Sequence, residues 1–141
     1  MKKVVWIVFI VMCVSCQQAG NEEATVSTKA EEFEVGSYTM RGIPDRVAFI
    51  DAPWVEGEAQ KYMWHFWGSE DELTGPFKVT GTQMKTGETV TVFEAREIAG
   101  PVNGADASLP SNMSLPESGE WKLETSMDGE AFGTILVHVK E

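Results

Sequence analysis

The chain has 141 residues, 43% of them hydrophobic and 10% aromatic, which is one domain's worth of material and too polar overall for an integral membrane bundle. Its 22 acidic against 11 basic residues give a net charge of -11, which excludes nucleic acid as the main partner because phosphate neutralisation needs clustered Lys and Arg. Five Trp supply apolar surface for a packed core and exclude a disordered body.

Lys2 and Lys3 precede an unbroken apolar run over residues 4–14, followed by Ser15, Cys16 and the polar Gln17-Gln18. This is the layout of a secretory signal over residues 1–15, and the run is shorter than the roughly 20 residues a spanning helix needs. The small residues ahead of Cys16 resemble the bacterial lipobox, which implies S-diacylglycerylation of Cys16 and cleavage just before it. Val14 and Ser15 fit that pattern, whereas Cys13 stands where it has an aliphatic residue. An uncleaved signal anchor and a simple secreted protein are the alternatives. A diacylglyceryl anchor makes the lipid bilayer a partner, since each buried methylene contributes roughly 0.8 kcal/mol and two chains act together. Loss of residues 1–15 removes Lys2, Lys3 and no acid, so the charge moves from -11 to -13. Such a chain has no disulfide or free thiol to use, and anionic headgroups repel it.

Residues 16–35 then form an acidic stretch of Gln, Asn, Glu, Ala, Ser and Thr, expected to be a flexible tether, with a weak helix over 28–33 as the alternative. From residue 36 Trp, Phe, Val and Gly arrive together, and the period becomes two. Strands are predicted over residues 37–40, 47–50, 62–67, 77–85, 88–96, 121–127 and 132–140. Thr86-Gly87 and Asp128-Gly129 mark hairpin turns between the last two pairs. About seven short strands with turns at these intervals predict an all-β, immunoglobulin-like antiparallel sandwich over 36–141, with a small β-barrel as the alternative. The interval 100–119, with Pro101, Pro110 and Pro116, is expected to be a long loop carrying a short buried strand over 112–115.

The ordered set Lys61-Tyr62-Met63-Trp64-His65-Phe66-Trp67-Gly68, Gly75-Pro76-Phe77-Lys78-Val79, Asn103-Gly104-Ala105-Asp106-Ala107 and Leu115-Pro116-Glu117-Ser118-Gly119-Glu120-Trp121-Lys122-Leu123 resembles a family of uncharacterised lipoproteins from Gram-positive spore formers. That resemblance implies an immunoglobulin-like domain of unknown function at the membrane, and no catalytic or binding residues.

Residues 62–67 are the densest feature of the chain. As a strand they put Tyr62, Trp64 and Phe66 on one face and Met63, His65 and Trp67 on the other, so both faces are apolar. Trp64 is expected to be the core aromatic of one sheet. Met63, His65 and Trp67 are the candidate ligand-binding residues, because a thioether, an imidazole and an indole face suit a soft metal such as Cu(I) or an organic ligand. Asn103 and Asp106, in the long loop, are the further candidates. One carboxylate there is too few for calcium, and two histidines, His65 and His138, do not define a zinc site. No metal or other cofactor is therefore expected. Glu70, Asp71 and Glu72 sit in a polar loop that does not desolvate one acid against another, and no nucleophile elbow, zinc-protease, phosphate-loop or dinucleotide motif occurs. A non-enzymatic, membrane-anchored extracytoplasmic module that binds a protein or peptide at the cell surface is the expectation. A soft-metal or small-ligand carrier and a structural accessory subunit of a surface complex are the alternatives.

Overall fold

The computed structural model describes residues 31–141, which form ten strands and, among the described residues, no helix. The lipidation candidate Cys16, the signal and residues 16–30 lie outside the described residues. In chain order the strands are β1 (Glu31–Val35), β2 (Tyr38–Ile43), β3 (Val47–Ile50), β4 (Trp54–Val55), β5 (Gln60–Phe66), β6 (Phe77–Gln83), β7 (Thr89–Ala95), β8 (Ala107–Met113), β9 (Gly119–Met127) and β10 (Glu130–Lys140).

They make two five-stranded sheets, β1-β2-β3-β5-β8 and β4-β10-β9-β6-β7. Every pairing is antiparallel except that of the two-residue β4 with the end of β10. Both sheets are open at their edges, so the architecture is the expected sandwich.

Period two buries one face of each strand between the sheets. Tyr62, Trp64 and Phe66 point into this core and meet Phe49 from β3, Phe77 and Val79 from β6, and Trp121 and Leu123 from β9. Trp64 meets Phe49 and Phe77 edge to face, each at 5.1 Å between ring centroids. Its indole N–H donates to Ser111 Oγ (3.1 Å), and Ser111 Oγ donates to the Tyr62 carbonyl (2.8 Å), so the core's polar atoms on these two strands are paired. Asp128 and Gly129 both have positive φ, 52° and 79°, the backbone of the tight turn that Asp-Gly favours.

Three strands depart from the expectations. Residues 31–35, assigned to the tether by composition, form β1 and pair with β2, because Phe33 and Val35 alternate with glutamates and Gly36 (φ 59°) permits the turn between them. The interval 100–119 holds a full strand, β8, where a short one over 112–115 was expected. Its Ser, Asn and Pro content hides it, and Pro110 is tolerated because β8 is an edge strand. β4 is too short for any periodicity. The Thr86-Gly87 turn is also longer than expected: the ladder closes where Gln83 N donates to the Glu88 carbonyl (2.8 Å), and Gln83 Oε1 accepts the N–H groups of Lys85 (2.7 Å) and Thr86 (2.8 Å).

Candidate functional site

β5 sends its second set of side chains, Met63 and His65, away from the core onto the outer face of the first sheet, and Trp67 follows just past its end. His65 stands between Ala48 of β3 and Ser108 of β8, two small residues that leave room for the imidazole. The ring is fully buried, and Trp67 stacks beside it at 6.2 Å between centroids. Phe33 of β1 meets Trp67 from the other side at 6.5 Å. Met40 and Ala48 beneath them have no exposed surface.

The segment between β7 and β8 closes over His65. Val102 and Ala105 form a bridge around Asn103 (φ 50°) and Gly104 (φ 80°), a tight turn with two left-handed residues. Asp106 N donates to the Phe66 carbonyl (2.9 Å), and Asp106 Oδ2 accepts from Gly68 N (2.9 Å), which fixes the turn at the end of β5. Asn103 Nδ2 then donates to His65 Nε2 (3.1 Å), and the proton on Nδ1 is directed at the Met63 carbonyl (3.1 Å). Burial holds this neutral imidazole below the ordinary value of 6.5, the Met63 carbonyl opposing the shift.

The candidate residues Met63, His65, Trp67, Asn103 and Asp106 are thus brought together. Asn103 and Asp106 act as fasteners of a loop. Both ring nitrogens of His65 are engaged, so a soft metal has to displace Asn103 to reach Nε2. Among the described residues no three His, Cys, Asp or Glu side chains converge as a metal site. The Asn103-Gly104 pair is itself a strong turn signal, which marks the turn in the sequence but not its contact with His65.

Sequence reasoning missed the breadth of the surface to which Met63 belongs. Phe33, Met40 and Ile50 are paired in register across β1, β2 and β3, and Met63 is paired with Pro110 of β8. Ile50 and Met63 each follow or precede the Phe49–Trp64 pair by one residue on facing strands, so one apolar row crosses all five strands. Val35 and the exposed Tyr38 flank it on one side, and Trp67 lies on the other. The outer face of the second sheet is different. Lys78, Thr80 and Thr82 on β6 face Ser126, Glu124 and Lys122 on β9, and His138 faces Glu120, to which it is hydrogen bonded. A groove of about 420 Å³ lies at the end of that sheet between Phe77, Lys78, Glu94 and Arg96, and includes none of the candidate residues.

Residues 20–137 match the family model of a domain of unknown function, DUF4871. Among solved structures, the X-ray crystal structure of a "putative lipoprotein" from Bacillus anthracis is similar, with a TM-score of 0.64 and 19% identity over 79% of this chain and 85% of that one. At that identity the likeness shows the fold. No curated protein matches. These findings agree with the resemblance drawn from the ordered motifs.

Proposed function

Because the chain belongs to the DUF4871 family, we propose that it is a lipid-anchored extracytoplasmic binding module, carried by Cys16 and presenting its sandwich to a protein or peptide partner. The supporting observation is the outer face of the first sheet: an apolar row five strands wide, with Met40 buried and Phe33, Ile50 and Met63 half-buried, suits a macromolecular surface better than a small ligand. The anchor is supported by the apolar run over residues 4–14 ahead of Cys16 and by the crystal structure described as that of a lipoprotein.

The reading is non-catalytic. Among the described residues no carboxylate is hydrogen bonded to His65, and Ser108, its neighbour in register, spends its hydroxyl on the Gly100 carbonyl (2.8 Å).

Cys16→Ala is the direct test of the anchor. The expected outcome is release into the medium or accumulation of the unprocessed precursor, read by fractionation and intact mass. A correctly processed, membrane-retained Cys16→Ala protein would overturn this part of the proposal.

A further inference from the structure

The outer row of the first sheet, Phe33, Met40, Ile50, Met63 and Pro110, contains no charged side chain and crosses five strands, about 19 Å at the usual strand spacing. Aromatic residues and Met, which border and build it, are the types enriched at protein interfaces and depleted on ordinary surface. An outward sheet face normally alternates to polar residues, as the second sheet's does. The second sheet also exposes Leu136, but that residue stands singly, paired with Lys122 and flanked along β10 by Thr134 and His138.

Charge selects among possible occupants. Residues 31–141 hold twenty Asp and Glu against eight Lys and Arg. Of the cations on the first sheet and its connections, Arg41 is taken up by Glu32 (2.7 Å) and Asp51 (3.0 Å), and Arg46 by Glu72 (3.2 Å). On the row's own face β1 contributes Glu31, opposite Gly42, with Lys61 at the far end. Anionic headgroups and a second copy of this acidic chain are both repelled, whereas a cationic rim on a partner is attracted.

We propose that this row docks an extracytoplasmic polypeptide whose apolar ridge is flanked by lysine or arginine. The inference rests on the binding-module reading and names the surface and the chemistry of its partner. The side chain of Trp67 borders the row. The other described tryptophans, Trp54, Trp64 and Trp121, are buried, so the accessibility of Trp67 reports occupancy.

The test is site-specific photo-crosslinking in cells with the full lipidated chain, placing benzoylphenylalanine at Tyr38 or Met63 on the row and at Leu136 or Thr80 on the second sheet. The expected result is an adduct from the row positions alone, mapped by mass spectrometry to a segment of another protein in which apolar residues adjoin Lys or Arg. Its yield should fall about tenfold when Ile50→Glu is added, as for a central interface contact. Should Ile50→Glu fail to fold by circular dichroism, Tyr38→Glu at the exposed border is read in its place, with Leu136→Glu as the control that leaves the yield unchanged. Adducts to lipid, to a second copy or to an acidic segment overturn the proposed partner chemistry. Adducts from Leu136 or Thr80 only overturn the surface and leave the binding-module reading standing. Absence of any protein adduct at all four positions overturns both.

Discussion

His65 is buried as a neutral ring with a donor on one nitrogen and an acceptor for the other, an arrangement that holds only while Nε2 is unprotonated. Its folded value lies below the 6.5 of the unfolded chain, so between the two values the unfolded state binds the extra proton. Stability contributed at neutral pH is therefore lost as the pH falls through 6.5 toward the folded value. Thermal melts from about pH 7.5 down to about pH 5 should show a steeper fall of Tm for the native protein than for His65→Gln, and parallel curves would contradict this account. Asn103→Ala removes the donor to Nε2 and should cost about 1 kcal/mol at neutral pH, read by denaturant unfolding. The same two hydrogen bonds bear on the soft-metal alternative: added Cu(I) should leave Trp67 emission and Tm unchanged, because the ring offers no free nitrogen. Trp64 belongs to the opposite, core face. Trp64→Ala should cost about 4 kcal/mol, the usual penalty for emptying a buried aromatic position.

The elements of the first sheet depend on positions where the backbones come very close. A Cβ on Gly42 (φ 152°) would lie 2.3 Å from the Val47 carbonyl oxygen and 2.6 Å from Ala48 Cα, backbone atoms that cannot swing aside. Gly42→Ala should therefore destabilise the domain by about 3 kcal/mol in denaturant unfolding, with β2 prised from β3. β1 is held more lightly. It is an edge strand with three exposed glutamates, a composition that also protects its free edge from pairing with other chains. Its one aromatic contact is Phe33 on Trp67, so Phe33→Ala should cost about 1 kcal/mol and raise acrylamide quenching of tryptophan emission. Unchanged quenching would show that β1 does not shield Trp67. β8 is the complementary case, since its ladder to β5 runs over seven residue pairs although its own sequence has little strand propensity.

At the scale of the whole molecule, the two sheets share one core but have unlike outer faces. Apart from the exposed Leu136, the second sheet alternates apolar inward and polar outward, the pattern that period two alone implies. The first sheet carries an apolar row on its outer face as well as a core face, and β5 is bulky on both sides, which is why residues 62–67 admit two readings in the sequence. The alternation separated Tyr62, Trp64 and Phe66 from Met63, His65 and Trp67 and gave seven of the ten strands. Trp64 was identifiable as core, and Asp128-Gly129 as a turn, because these signals are local. Strands without local periodicity were hidden: β4 is two residues long, β8 carries Pro110, and β1 lies within an acidic stretch. The meeting of Asn103 with His65, 38 residues earlier, depends on a turn docked by Asp106 on the end of β5, and no local pattern encodes that contact. By itself the sequence determined an all-β sandwich and an acidic chain, since periodicity, composition and charge are properties of short windows. Only the tertiary structure decided which face of β5 lies between the sheets and that five strands align one apolar row, because register between distant strands is set by pairing and packing across the whole fold.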